Sequence, residues 1–293
     1  MSCELNWIVS PQASAAYAAA VLLGGGQPAD LSHSAALDQL VNNLRQQAGC
    51  HDTALIDLLN HVTPLSQGPV GARQVVETAL RKLFASDYAA SMVDQLSDAL
   101  QELFENRHKC FRDVEQELKL RRSVFEQNWA ARGPGLLSSI GRFTDDDLIA
   151  SRATVFLVDP LLGGGGAAYL AYNAVAIEAV LANPHDDLPE IVRLAWLLAQ
   201  LRMDAPIHGE TVHGSRLPHV AALAILPPTL QAAEVVELCQ FSPETVQRAI
   251  EVWNIAVADR KPTADTVYKW WEVYTRGRPR WSVALAALDK MLE

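Results

Sequence analysis

The chain has 293 residues, of which 49% are hydrophobic and 20% charged, which is enough apolar material for one large globular domain or two of ordinary size. Lys and Arg number 24 against 34 Asp and Glu, so the formal net charge is −10 at pH 7. Both halves of the chain are acidic, and neither contains a basic domain. This balance disfavours general binding to nucleic acids, whose phosphates attract basic surfaces.

Cysteine spacing and the N-terminal region predict the compartment. The four cysteines form no C-x-x-C pair, and their spacing suggests no disulfide framework. The first Lys or Arg is Arg45, so no basic segment precedes the apolar residues 13–23, as a secretory signal requires. No run of about 18 uncharged apolar residues is found, the length that a membrane span needs. The sequence therefore predicts a cytoplasmic protein that does not enter a membrane.

Helix signals dominate the first half of the chain. Ser10-Pro11 is an N-cap followed by a proline in the first turn, and Gly24 ends this helix. Further helices are predicted from Asp30 or Ser32 to Gly49, from Asp52 to Val62, and over 70–85. Residues 88–130 contain no Gly or Pro and carry one apolar stripe. This pattern predicts one long helix, or two helices broken near 106–108.

The second half begins after Gly133-Pro134-Gly135, which is predicted to end the helical pattern and open a connector over 133–153. Residues 154–158 are the only convincing strand-like run. Helices are predicted over 167–182 and 188–203, on both sides of Pro227-Pro228, and over most of the chain after Ser242. The predicted fold class is all-α, a multi-helix, bundle-like protein with one long helix at about 88–130 and a minor β element near 154–158. Residues 1–135 and 150–293 form two helical regions or a single domain.

A loop rich in histidine contains the first candidate for chemistry. His208, Glu210 and His213 lie within six residues, and imidazole and carboxylate groups are ligands for divalent metals such as Zn. Their spacing differs from the H-E-x-x-H of helical zinc sites, and Gly209 and Gly214 disfavour a helix here. The alternative interpretation is a polar surface loop between two helices.

A run of four glycines, Gly163, Gly164, Gly165 and Gly166, forms the second candidate. The run follows the strand-like residues 154–158 and precedes a predicted helix, so its free N–H groups are expected to bind an anion such as a phosphate-bearing ligand. No Lys-Ser or Lys-Thr pair follows the glycines, which excludes a Walker A loop. The alternative is a close-packed turn.

Glu178 is the third candidate, because it lies in an otherwise apolar segment where burying a carboxylate is costly unless it is paired. Arg193 or Arg202 is the expected partner in a structural ion pair. A catalytic role, or metal ligation together with the His208–His213 loop, is the alternative.

Two C-terminal features favour other interpretations. The aromatic group around Trp270, Trp271 and Tyr274 predicts core packing, with an exposed interface as the alternative. The stretch Arg276-Gly-Arg-Pro279 resembles the core of an AT-hook, which binds the minor groove of A·T-rich DNA. Because its surroundings are acidic and helical, we interpret it instead as a helix end with Gly277 at the C′ position.

Two function classes follow. The first is a protein-interaction or scaffold protein that self-associates, most simply as a homo-oligomer, through the long helix and the tryptophan-rich C-terminal region. The second is a metal-dependent or phosphate-ligand-binding enzyme, whose site lies where residues 163–178 meet 204–219. We expect the interaction role, because no single motif identifies a reaction.

Overall fold

The chain is predominantly helical and contains one small sheet. The computed structural model describes residues 3–29, 34–68, 70–84, 90–106, 114–179 and 185–293. The strands in these ranges are β1 (Glu4–Val9), β2 (Arg152–Val158), β3 (Gly166–Tyr169) and β4 (Ala174–Glu178). The helices are α1 (Pro11–Leu23), α2 (Ser34–Ala48), α3 (Asp52–Leu65), α4 (Ala72–Phe84), α5 (Ala90–Asn106), α6 (Val114–Phe143), α7 (Glu190–Leu198), α8 (Pro206–Gly209), α9 (Leu217–Val235), α10 (Pro243–Val252), α11 (Arg260–Gly277) and α12 (Trp281–Met291). The predicted predominance of helix is confirmed, but the all-α class is wrong because of the sheet.

The sheet is mixed and has the strand order β1-β2-β4-β3. Strands β1, β2 and β4 are parallel to one another, whereas β3 is antiparallel to β4 and forms one edge. On one face, Phe156 and Ala176 belong to a cluster with Tyr17 of α1. On the other face, Val155 and Ile177 belong to the large cluster that includes residues of α6 and α7. The sheet is therefore buried between helices on both faces.

Strand β4 lies where the sequence predicts a helix over 167–182, and that prediction is wrong for the described residues up to 179. All five residues of β4 are buried, because the strand is covered on both faces and paired on both edges. Such a strand reads as a continuous apolar run without alternation, and its alanines favour a helix locally. Asn173, with φ 46°, turns the chain into β4 from a short 3₁₀ helix, Leu170–Tyr172.

The long helix predicted at 88–130 is not confirmed as one element. Described residues form α5 up to Asn106 and α6 from Val114, and residues 107–113, which include the expected break and Cys110, lie outside the described part. The buried side chains of α5, such as Leu96 and Leu103, belong to a cluster with α1–α4. Those of α6, such as Phe125, belong to the cluster beneath the sheet. The single apolar stripe thus packs into two separate cores.

Helix α6 continues through Gly133-Pro134-Gly135, where the sequence predicts a connector. Pro134 is exposed, while Leu136, Leu137 and Ile140 further along the helix are almost completely buried. Burial of side chains of this size contributes about 2 kcal/mol each, which outweighs the local cost of about 3 kcal/mol for an internal proline. The connector prediction is therefore wrong over 133–143.

Two further proline signals behave differently from the prediction. Pro227-Pro228 lies inside the continuous helix α9, whose residues from Leu223 to Leu230 are all buried, instead of separating two short helices. Helix α11 does end in the R-G-R-P stretch, but Gly277 is its last residue. The left-handed position is occupied by Arg278, with φ 40°.

The C-terminal aromatic group is core. Trp270, Trp271, Tyr274 and Trp281 are each less than 5% exposed and stack on one another with centroid distances of 5.2–6.0 Å. The Trp271 indole donates to Gln231 Oε1 at 2.7 Å. Self-association through these rings would therefore require this core to open.

Two simple properties accompany this fold. Cys3, Cys50 and Cys239 are free thiols. Among the helices of the described residues, none combines the length and apolar character that crossing a bilayer needs.

Candidate functional site

Strand β3 exposes one backbone edge. It pairs with β4 on one side, with Gly166 opposite Ile177 and Ala168 opposite Val175, and with no strand of the described residues on the other side. Gly166, Ala167 and Ala168 are half-buried, so that the edge lies in a recess that remains open. An unpaired strand edge of this kind is a template for another extended chain.

Hydrogen bonding in the ladder shows which groups face outward. The Glu178 N–H donates to the Gly165 carbonyl at 3.3 Å, directly before the first bridged pair. Because hydrogen-bonded and non-hydrogen-bonded pairs alternate in antiparallel ladders, Gly166 and Ala168 are non-hydrogen-bonded positions. Their N–H and C=O groups therefore point away from β4, into the recess.

The recess is a groove with two connected parts. One part, of about 520 Å³, lies along Gly166–Tyr172, and the other, of about 620 Å³, lies over the glycine run. Both parts share Asn60, Gly166, Ala167 and residues 253–256 as lining, so they form one groove along β3. We call this the β3 groove. Volumes of this size are typical of ligand sites in proteins.

The walls of the β3 groove are aromatic and firmly held. Trp196 of α7 and Trp253 lie with their ring centroids 5.3 Å apart, and the Trp196 indole donates to the Ala222 carbonyl at 2.8 Å. Both rings are less than 5% exposed, so they are fixed by the core behind them. The part of the wall that these rings form is thus apolar and held in place by the core, which reduces the ordering cost of binding.

A histidine and a tyrosine close the far end of β3. His61 Nδ1 and the Tyr172 hydroxyl are 2.7 Å apart, and the Lys82 ammonium lies 4.4 Å from the Tyr172 ring centroid. Burial, and then Lys82, lower the pKa of His61 below its usual value, while burial raises the pKa of Tyr172 to about 12. At neutral pH the two groups thus form a hydrogen bond between a neutral imidazole and a neutral hydroxyl, and the tautomer of His61 decides which atom donates.

The glycine run surrounds Glu178, which is fully buried. The Leu162 N–H donates to both carboxylate oxygens at 2.8 and 3.0 Å, and the Gly164 and Gly165 N–H groups donate to Oε2 at 3.0 Å. The Tyr17 hydroxyl donates to Oε1 at 3.2 Å. The sequence predicts an anion at these N–H groups, and in the structure they bind a carboxylate of the same chain. The two candidates, Glu178 and the glycines, thus form a single brace at the start of β3.

Close packing explains why glycines occupy this loop. Gly163 has φ +74°, which side chains disfavour. A Cβ on Gly164 would lie 2.4 Å from the Val252 carbonyl oxygen, and one on Gly165 would lie 2.7 Å from the Tyr17 hydroxyl. The loop backbone therefore approaches both Glu178 and the C-terminal end of α10 more closely than any side chain would allow.

Arg193, one of the two expected partners of Glu178, contacts its backbone. Its Nη2 donates to the Glu178 carbonyl oxygen at 2.6 Å and lies 3.5 Å from Glu190 Oε1. Arg193 is 3% exposed, and burial lowers its pKa. The carboxylate of Glu178 instead accepts hydrogen bonds from backbone N–H groups, and Arg193 contacts the end of β4.

The histidine loop does not bring its three predicted ligands together. His208 is buried on α8, whereas Glu210 and His213 are exposed, and His213 Nδ1 contacts Ser215 Oγ at 2.9 Å. Within residues 3–29, 34–68, 70–84, 90–106, 114–179 and 185–293, no three His, Cys, Asp or Glu side chains are grouped as a metal site requires. His219, by contrast, lines the β3 groove. Segments 163–178 and 204–219 thus meet there through Gly166–Tyr172 and His219.

His208 is expected to make stability sensitive to acid. Neither ring nitrogen makes a hydrogen bond within the described residues, although the Asp147 backbone lies near the ring. Burial lowers the pKa of His208, opposed by Asp145 and reinforced by Arg202. The unfolded chain therefore takes up a proton near pH 6.5 that the folded chain resists, so stability is present above that pH and falls below it.

We expect His208→Leu to reduce this acid loss, by at most about 1.4 kcal/mol at pH 5.5, one unit below the ordinary histidine value. Urea unfolding at pH 7.5 and 5.5 measures it, with exposed His213→Leu as the control for the substitution. His61 and His219, whose pKa values burial also lowers, leave part of the acid response in place. An unchanged difference between the two pH values in His208→Leu would show that His208 is not its source.

Comparison with protein-family models, curated proteins and solved structures gave no match for this chain. The site therefore has to be interpreted from its own geometry.

Most of the β3 groove was not visible in the sequence. Asn60 and His61 come from α3, Trp196 from α7, and residues 253–256 from the loop after α10. These segments lie far apart in the chain, with more than a hundred residues between His61 and Trp196 and more than fifty between Trp196 and Trp253, and none of them carries a local motif. The one available signal was Asn173 before an apolar run, since asparagine tolerates the left-handed conformation that begins a new strand.

Proposed function

We propose that the chain is a protein-interaction module that binds an extended polypeptide segment by adding it as a strand to β3. The observation that carries this proposal is the outward-facing backbone of Gly166 and Ala168 at the floor of the β3 groove. Strand addition uses main-chain hydrogen bonds for affinity and pockets on alternate side chains for specificity. The β3 groove offers both.

The length of β3 supports the binding of a short extended segment. Gly166–Tyr169 covers about 13 Å at roughly 3.3 Å per residue, which accommodates four or five residues of the bound segment. The two outward positions offer two N–H and two C=O groups, each hydrogen bond contributing about 1 kcal/mol net. Apolar side chains of the segment would rest against Leu170, Pro218 and Ala222, lining residues that are at least partly exposed. Together these terms favour micromolar rather than nanomolar affinity.

The brace at Glu178 has a clear role in this proposal. It fixes Gly164 and Gly165, directly before β3, through N–H groups that would otherwise be buried without partners. An ordered edge strand does not have to be organised during binding, which preserves affinity. Glu178 is thus a positioning residue. Its carboxylate does not face the β3 groove, so it gives no support to the enzymatic alternative.

The test is selection from a phage-displayed library of random dodecapeptides on the immobilised full chain. We expect enrichment of alternating apolar sequences, and the best peptide, made synthetically with fluorescein, should bind in fluorescence anisotropy. N-methylation of alternate backbone nitrogens removes the donors on one edge of the peptide. One of the two alternating N-methylated versions should lose binding, because strand addition uses one peptide edge. Absence of enrichment, or equal binding by both N-methylated versions, would contradict the proposal.

A further inference from the structure

The β3 groove has a charge asymmetry that runs along β3. Neither part of the groove has an Asp or Glu among its described lining residues, although the whole chain carries 34 such residues. The part over the glycine run is lined by Arg260, whereas His61 and His219 line the part at the other end. Burial lowers the pKa of both histidines, so they are neutral at pH 7. Among the lining residues, the groove therefore carries a cation at its glycine end and none at its histidine end, where Lys82, which is not a lining residue, lies 4.4 Å from the Tyr172 ring centroid.

Arg260 is available to an incoming anion. Its side chain is 57% exposed, and its ion-pair contact is with Glu251 Oε1 at 4.0 Å, the outer limit for such a pair. Glu251 is shared with Arg248, at 3.8 Å. Arg260 and Lys261 also occupy the first turn of α11, where the helix dipole disfavours cations. An anion bound beside Arg260 is therefore favoured both by the side-chain charge and by the N-terminal end of α11, where the N-cap Asp259 already places one carboxylate.

We infer that the segment bound in the β3 groove carries a carboxylate at its C-terminal end, recognised by Arg260. This inference rests on the proposed function. Strand β3 runs from the glycine end towards the histidine end, so a segment added antiparallel to β3 runs towards Arg260. Antiparallel pairing is the slightly more stable arrangement. The carboxylate is either an acidic side chain near that end or the chain terminus itself.

The experiment uses four eight-residue peptides of alternating Thr and Val with N-terminal fluorescein, measured by fluorescence anisotropy on the full chain. The first peptide ends in Glu and the second in Gln, and both have an amidated C-terminus. The third peptide has Glu at its first position. The fourth ends in Gln and has a free C-terminal carboxylate. We expect the first to bind about fivefold more tightly than the second and third, as for an exposed ion pair of up to about 1 kcal/mol. The fourth distinguishes a terminal carboxylate from a side chain.

The matched variants are Arg260→Gln and Arg276→Gln, the latter at an exposed arginine that does not line the groove. The preference should vanish in Arg260→Gln, persist in Arg276→Gln, and weaken in 0.5 M NaCl because salt screens exposed charges. Equal binding of all four peptides, lost in Ala168→Pro, would overturn the carboxylate inference and leave strand addition standing. A preference that survives in Arg260→Gln would overturn the assignment to Arg260. Absence of binding by every peptide would count against both proposals.

Discussion

Replacing Glu178 by alanine is expected to lower the free energy of unfolding by on the order of 4 kcal/mol. The substitution leaves the N–H groups of Leu162, Gly164 and Gly165 without their acceptor, in a place where the glycine backbone is closely packed. Each unsatisfied buried donor costs about 1–3 kcal/mol, reduced where the loop relaxes or admits water. Because a domain is stable by only about 5–15 kcal/mol, this is a large fraction of the total.

Two variants separate the contribution of charge from that of shape. Glu178→Gln keeps the volume and one oxygen acceptor but directs an amide NH₂ at N–H donors, so we expect a loss of roughly 2 kcal/mol. Glu210→Ala removes an exposed carboxylate and should stay within about 0.5 kcal/mol of the wild type. Urea unfolding followed by tryptophan fluorescence measures all three. A Glu178→Ala protein within 1 kcal/mol of the wild type would show that the carboxylate does not anchor the loop.

Small carboxylates provide an independent check on the same brace. In Glu178→Ala, formate can occupy the vacated N–H groups, and a ligand that binds only the folded state stabilises it. We therefore expect 0.1 M sodium formate to stabilise this variant more than 0.1 M sodium chloride does. The wild type, whose N–H groups are already bonded, should respond equally to the two salts.

Local signals in the sequence predicted local structure well. Ser10 and Ser242 each precede a proline, and in the structure each side chain caps its helix, accepting from Ala13 N and Thr245 N respectively. Such caps depend on four or five consecutive residues, so their chemistry is complete within the sequence. The sheet is different, because it pairs residues 4–9 with 152–158 and these with 174–178. The pairing of β1 with β2 joins segments about 150 residues apart, and β4, although it lies only about 20 residues from β2, is too short and too rich in alanine to show strand periodicity.

The candidate site was also predictable only where its signals are local in the sequence. Glu178 and the four glycines were identifiable because a carboxylate in an apolar segment and a run of glycines are each costly without a specific partner. That they are partners of each other was not predictable, since the turn between β3 and β4 was expected to be helical. The expected ion pair with Arg193 became a contact to a backbone oxygen for the same reason. Because the sequence assigns β4 to a helix, the contacts inferred for Glu178 and for the glycine run differ from those in the structure.

Replacing Ala168 by proline is expected to weaken peptide binding at least tenfold while leaving the fold intact. The Ala168 N–H points into the β3 groove and not towards β4, so its loss removes no bond of the sheet. Proline is tolerated on an edge strand at a position of this kind, and its ring blocks the approach of a second chain. Losing one hydrogen bond, together with this steric clash, exceeds the 1.4 kcal/mol that corresponds to a tenfold change in Kd.

Two control variants show whether the effect of Ala168→Pro comes from loss of the N–H group. Ala168→Val changes the side chain but keeps the N–H, so it should bind the library-selected peptide within about threefold of the wild type. Urea unfolding should place Ala168→Pro within about 1 kcal/mol of the wild type, because only the edge is altered. In Ala167→Pro, by contrast, the lost N–H is the one that faces Ala176 in the ladder, so this variant should destabilise the sheet.

A stable Ala168→Pro protein that binds the peptide with unchanged Kd would mean that the segment rests on the groove walls and not on β3. Strand addition requires the opposite result, because the Ala168 N–H is one of the two donors through which β3 would bind the segment.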